Sequence, residues 1–290
     1  MPEFLQFLFS GLTVGAIYAL IALGFTLIYS SSDVINFAQG EFVMIGGMVT
    51  FFLGLAGVPL PLAAVLAVVA ATAVGLLLHR LAIDPAKDAS AVTLIIITIG
   101  ASILMRGIAG VVFDKNFHSL PPFIGAEPWI IGGAAVLPQS VLVLIGTGVI
   151  VLLLWLFMSR TQTGKAMIAT AANRLAARLV GINTSRVVAL AFAISAAIGA
   201  IGGILVTPIA LTSYDAGTLL ALKGFAAAML GGIGSPIGAV VGGLAVGLLE
   251  AFGAGYVSSA YKDAIAFLVI LAVLFAMPQG LFGRGAVERV

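Results

Sequence analysis

The chain has 290 residues, 62% of them hydrophobic and only 8% charged, where a soluble globular domain carries about 25% charged residues. No soluble core of this length hides that much apolar surface, so lipid is the solvent that fits. The absence of cysteine excludes disulfides, thiolate metal sites and thiol nucleophiles. A net charge of +2 from 13 basic residues scattered over the whole chain gives no nucleic-acid footprint.

The apolar runs are continuous and do not alternate, which selects membrane-spanning helices over a β-barrel. About 20 residues cross the hydrocarbon layer. The first span is read over 4–30; Glu3 stands where a cleavable leader would carry positive charge, so the segment is kept as a span. Spans over 40–58 and 61–80 follow, separated by the breaker Val58-Pro59-Leu60-Pro61. Next come 89–111, a loop from Asp114 to Pro138, and 138–158. After the basic segment 159–186, the spans 187–210, 217–232, 235–254 and 261–277 complete nine, with Gly234-Ser235-Pro236 as a second breaker. The expected fold is an all-α polytopic membrane bundle of about 8 to 10 helices.

Segment 159–186 carries Arg160, Lys165, Arg174, Arg178 and Arg186 without an acid, which places it in the cytoplasm. The loop with Arg80 and Lys87 is then also cytoplasmic, as is the tail with Arg284 and Arg289. Nine spans put the N-terminus outside. An internal echo links Gly40-Glu41-Phe42 through Gly46-Gly47 to Lys223-Gly224-Phe225 through Gly231-Gly232. The two stretches run in opposite directions, as in an inverted repeat, and short glycine-interrupted segments of this kind point to a midplane site. The chain thus reads as one permease-like membrane domain over 1–290, with the basic segment between two pseudo-repeated halves.

Charges inside spans are costly and stand out. The polar interruption Ser30 to Glu41 offers Asn36, Gln39 and Glu41 for either a pore or a packing role, while Ser30 to Asp33 reads as a turn. Lys223 and Glu250 are isolated charges whose plainer explanation is a structural partner or a snorkelling head. In the basic segment, Thr163 suits a helix N-cap and Gly181 a helix stop. Met167, Ile168, Ala171, Ala172, Leu175, Ala176 and Leu179 form an apolar stripe beside Arg174 and Arg178. Such a helix fits either a groove on a soluble partner or the surface of anionic lipid. Close helix packing accounts for most of the 36 glycines.

No catalytic set is found. His79 and His118 read as interfacial or loop residues, and neither a metal-ligand cluster nor a phosphate-cradling GxxxxGK[ST] is present. ATP chemistry, if any, belongs to another chain.

The stretches Gly15 to Gly24, Asn36-Phe37-Ala38-Gln39-Gly40-Glu41-Phe42, Thr98-Ile99-Gly100, 161–183, Lys223-Gly224-Phe225-Ala226-Ala227, Gly231 to Pro236 and Pro278-Gln279-Gly280-Leu281-Phe282 together resemble the LivH-type permeases of bacterial branched-chain amino acid ABC transporters, almost end to end. Met277 departs from the arginine expected before Pro278. The resemblance implies a LivM-like second permease, two cytoplasmic ATPase subunits holding ATP and Mg, an external binding protein, and a bacterial inner-membrane location. No cofactor is expected on this chain. It also implies that 161–183 is a coupling segment, with Ala171, Ala172, Arg174, Arg178 and Gly181 as ATPase contacts. Asn36, Gln39, Glu41, Thr98 and Lys223 are the expected substrate pathway. Urea or short amides remain an alternative cargo, and a stand-alone secondary transporter an alternative class.

Overall fold

The computed structural model describes residues 2–283; the expectation for the tail with Arg284 and Arg289 lies outside them. The helices are α1 (Pro2–Ser32), α2 (Gln39–Leu55), α3 (Leu60–Leu78, prolonged by one π turn, His79–Ile83), α4 (Ala91–Val112) and α5 (Pro138–Arg160). After α6 (Gln162–Ala172) and α7 (Arg174–Leu179) come α8 (Thr184–Ala210), α9 (Ala216–Gly231), α10 (Pro236–Tyr256) and α11 (Lys262–Ala276). Seven helical stretches are long and apolar enough to cross a membrane, and α2 and α9 are shorter apolar helices. The chain is therefore a multi-pass helical membrane bundle, with a helix over each of the nine expected segments within a few residues of its expected limits, seven of them long enough to cross.

The breakers act as their chemistry requires. Proline occupies the first turn of α3, α5 and α10, where its missing amide leaves nothing unsatisfied. Ser90 and Ser235 cap α4 and α10 through their side-chain oxygens. One element was not expected. Strands β1 (Trp129–Ile131) and β2 (Ala134–Val136) pair antiparallel through Gly132-Gly133, both at positive φ, as a two-residue hairpin turn demands. The Gln6 side chain bonds both the N–H and the C=O of Ala135, tying the start of α1 to this hairpin.

Helix α1 is the axis of the bundle, with 89% of its most apolar window buried. It runs antiparallel to α10, with Gly15 against Leu244 and Gly11 against Leu248. It also runs antiparallel to α8, where the Ser195 hydroxyl donates to Gly24 O at 2.9 Å. The two ends of the bundle can be told apart. At one, Ser185 donates to Asp84 at 2.9 Å, joining the two basic loops. At the other, His118 and Thr212 form a backbone bridge and His118 stacks on Phe51. There the Asn116 amide, helped by the His118 ring, holds the Asp114 carboxyl below the usual carboxylate range. Residue Gln6 lies at this second end, away from the basic loops, as the charge rule required of the N-terminus.

Helices α2 and α9 begin deep inside the bundle. Gln39, the first residue of α2, bonds Ser195 at the depth of Gly24. Since α1 continues eight residues past Gly24, about 12 Å at 1.5 Å per residue, the segment 33–38 folds back inward by that much. Gly217, the second residue of α9, packs on Gly40, the second residue of α2. From this shared point α2 runs to the His118 end, while α9 runs to the end where Ser30 donates to Gly234 O. Beside the interval through Lys223, the contact of Gly40 with Gly217 gives a second one between the two stretches. The same interval carries Gly54 to Gly231, Gly57 to Gly234 and Pro59 to Pro236, and both Gly57 and Gly234 have positive φ.

Candidate functional site

The fold gathers four of the five pathway candidates at the inward fold 33–41. Asn36 is fully buried, and its Oδ1 accepts from the Ala38 amide, turning the chain into α2. Thr98, on α4, accepts from the Phe37 amide at 3.2 Å and donates to Ile95 O at 2.9 Å. The Gln39 amide donates to Ser195 O and accepts from the Ser195 hydroxyl at 2.6 Å, pinning α2 to α8. These three contacts explain the local fold: a chain that re-enters an apolar bundle must satisfy its backbone with side chains, because no water is at hand.

Glu41 is the charged member, 1% exposed. Its Oε1 accepts from Ser102 at 2.7 Å and lies 3.4 Å from Arg106 Nε. Its Oε2 has no hydrogen-bond partner among the described residues and points to α9, 3.0 Å from where a Cβ on Gly217 would stand. Thr98, Ser102 and Arg106 fall four residues apart, so they form one polar stripe on α4 facing the N-terminus of α2. Beside this stripe the helix stands off the bundle. An apolar cleft of about 550 Å³ lies between α2, α3 and α4, lined by Met44, Ile45, Val74, Leu78, Met105 and Ala109 among others. The polar stripe, more than apolar packing, positions α4.

Lys223 does not join this group. It reaches Glu250 at 2.8 Å on α10 and Asp263 at 2.7 Å on α11. Tyr18 donates to the other Glu250 oxygen at 2.8 Å, and Lys262 sits 3.3 Å from Glu250. The structural-partner explanation of these isolated charges is the one the geometry favours, since each positive head faces a carboxylate. The Lys223 and Glu250 side chains are only 14% and 9% exposed. Breaking a buried pair from one side costs about 3 kcal/mol or more when the remaining charge is stranded; here Lys262 and Tyr18 still face Glu250, which holds the loss below that. Lys223→Met is expected to lower the thermal midpoint of the purified chain markedly, with Lys223→Met/Glu250→Gln recovering part of the loss. Equal midpoints for wild type and Lys223→Met would remove the pair from the stabilising contacts.

The basic segment is two helices, not one. Thr161 caps α6 by accepting from the Gly164 amide at 2.9 Å, so Thr161 and not Thr163 starts it. Asn173 ends α6 and caps α7, accepting from the Ala176 amide at 2.9 Å, and breaks the expected continuous stripe. Gly181, at positive φ, stops α7 as expected. Met167 and Ala177 turn inward and are buried, whereas Leu175, Leu179 and Val180 are 68%, 80% and 77% exposed. Ala171 and Ala172 are exposed beside them. Arg178 is partly engaged, its Nε donating to Thr184 at 2.9 Å, while the buried Arg174 Nε finds no partner among the described residues. The result is an exposed apolar ridge at the basic end of the bundle, held by the caps at Thr161 and Asn173 and by Asn183, which caps α8 by accepting from the Arg186 amide at 3.1 Å.

Sequence reasoning missed Arg106, Ser102, Ser195 and Tyr18. A signal existed for the first two: an arginine inside a span, with hydroxyl side chains at four-residue steps before it, requires an acceptor on a neighbouring helix. Ser195 and Tyr18 carried none, since single hydroxyls in apolar helices are common.

Comparison with known proteins gives a consistent result. Residues 7–274 match the family model described as branched-chain amino acid transport system / permease component. The chain is 37% identical over 302 aligned positions to the high-affinity branched-chain amino acid transport system permease protein LivH of Escherichia coli, covering 99% of this chain and 98% of that one. It is 36% identical to the corresponding permease protein BraD of Pseudomonas aeruginosa, covering all of both. A probable branched-chain amino acid transport permease of Methanocaldococcus jannaschii is 27% identical over 91% of this chain and 88% of its own length. Among solved structures, PsaBC from Streptococcus pneumoniae in complex with a Fab is similar at 15% identity, with a TM-score of 0.49, over 97% of this chain and 92% of that chain.

Proposed function

Because the chain belongs to the branched-chain amino acid transport permease family, we propose that it is the LivH-like subunit of an ATP-driven importer in the bacterial inner membrane, passing branched-chain amino acids handed over by an external binding protein. The observation that carries this reading is the end-to-end similarity to permeases of that named transport system. A LivM-like permease completes the membrane part. Two cytoplasmic ATPases bind and hydrolyse ATP with Mg, and this chain contributes motion in place of chemistry.

In this reading the ridge of α6 and α7 docks into the ATPases. Exposed Ala171 and Ala172 allow close approach, Leu175, Leu179 and Val180 supply apolar contact, and Arg174 and Arg178 add charge at the rim. Rigid caps at Thr161, Asn173 and Asn183 transmit the movement of that ridge into α5 and α8. The inward fold 33–41, with Asn36, Gln39, Glu41 and Thr98, then sits in the path of the moving helices, at the contact of two halves of opposite direction. Lys223 braces α9 from the far side. Alternating access follows if the two halves rock about the α2–α9 contact, opening first one end of the bundle and then the other.

The test is transport by the assembled system. Vesicles holding this chain, its second permease and both ATPases should accumulate labelled leucine only with binding protein outside and ATP inside. Leucine accumulation without the ATPases, or failure of ATPases to copurify with the chain, would refute the reading.

A further inference from the structure

Seven buried side-chain polar atoms lack a hydrogen-bond partner among the described residues. Three, on Thr26, Thr147 and Arg174, are scattered. The other four are Asn36 Nδ2, Glu41 Oε2, Arg106 Nε and Thr218 Oγ1, and they belong to the place where α2 and α9 meet. Buried polar groups are nearly always paired, so such a concentration calls for a missing partner. Both helices present their N-termini here, each a positive dipole end, although the Gln39, Glu41, Ala216 and Thr218 amides are taken by the preceding turns. Gly40 and Gly217 keep the two backbones in contact, and Glu41 Oε2 is aimed at the second residue of α9. Arg106 has its side chain 30% exposed, although an arginine within an apolar helix is unfavourable against lipid. Its guanidinium therefore faces something polar for part of the working cycle.

We propose that this junction is a headgroup site for a zwitterionic amino acid, the ammonium going to Glu41 Oε2 and the carboxylate to Arg106, Thr218 and the facing helix N-termini. The proposal rests on the transport reading above and adds where, in this chain, the common part of its cargo is held. The aliphatic side chain of the cargo is left to apolar surroundings, so the site reads the headgroup and not the branch. In the closed arrangement described here Arg106 lies beside Glu41 at 3.4 Å, too long for a good charge-assisted bond. A zwitterion entering the junction replaces this loose pair by two closer ones, one on each side.

A purely structural Glu41–Arg106 pair also tolerates loss of both charges, so the discriminating readout is protection by ligand, which a structural pair leaves unchanged in the double variant. The experiment follows the thermal midpoint of the purified chain in complex with its second permease. Leucine at about ten times its Kd should raise the midpoint of the wild type, with 3-methylbutylamine and 4-methylpentanoate each protecting less. In Glu41→Gln/Arg106→Gln, leucine should bind about 100-fold more weakly, through loss of two charge-assisted contacts, while the unliganded midpoint stays near that of wild type. Should the double variant not fold, Glu41→Gln alone must lose protection by the amine, and Thr218→Val must weaken protection by the acid. Protection of the variants equal to that of wild type, or no protection of wild type by leucine, overturns the site. Leucine uptake by the complete wild-type system is read in parallel: its absence refutes the transport assignment, whereas uptake with unprotected wild-type protein refutes the headgroup site alone.

Discussion

Gly40→Ala is expected to prevent the chain from reaching its native packing. A Cβ on Gly40 would run into the carbonyl oxygen of Gly217 and stand 2.7 Å from the Ala221 Cβ. From the other side, a Cβ on Gly217 would stand 2.5 Å from Gly40 O. These neighbours are backbone or Cβ, so no side-chain rotation relieves the clash. Overpacking a core typically costs about 1–3 kcal/mol, and this site lies at or above the top of that range because two helix N-termini must part. The matching control is Gly54, where a Cβ meets nothing within 4 Å. Gly54→Ala should be neutral or stabilise by about 0.4–1 kcal/mol through the unfolded chain. Thermal melting and size-exclusion profiles of the detergent-purified variants decide the matter. A Gly40→Ala protein as stable as Gly54→Ala would mean that the α2–α9 contact is not close-packed.

A second large effect is expected at the exposed ridge. Leu175→Asp and Leu179→Asp change side chains that are 68% and 80% exposed, so the chain should insert and melt like wild type. Coupled uptake should nevertheless fall by about 30-fold or more, since a central apolar contact in an interface is worth about 2 kcal/mol or more. Loss of ATPase copurification should accompany it. If the ridge instead lay on anionic lipid, the variants would retain ATPase association and change only with lipid composition. That result would remove α6 and α7 from the docking surface.

Much of the architecture was legible because lipid imposes simple rules. Apolar runs of span length, prolines at the first turn of helices and the bias of basic residues located the nine helices and ordered their ends. The inward fold was also readable, since Asn36, Gln39 and Glu41 between two apolar runs had to be satisfied by something. What the sequence could not show was the partner of each charge. Arg106 meets Glu41, and Lys223 meets Glu250 and Asp263, through tertiary contacts between distant segments that no local pattern encodes. Asn173 was passed over inside an alanine-rich run, where helix propensity is high, although asparagine competes for the backbone and favours caps. The Gly132-Gly133 turn lies within the stretch read only as a loop from Asp114 to Pro138.

The pairing of α1 with α10 also sets a schedule. Helix α1 leaves the ribosome some 230 residues ahead of its long neighbour α10, an interval that at about 5–20 residues per second takes roughly ten to fifty seconds. Through that interval the small-residue seam of Gly11, Gly15 and Ala19 has no mate from its own chain. Biogenesis is thus a race between completion of synthesis and the capture of an unfinished α1 by other helices or by membrane proteases. Maturation of this seam waits on the arrival of α10 at a helix made long before it.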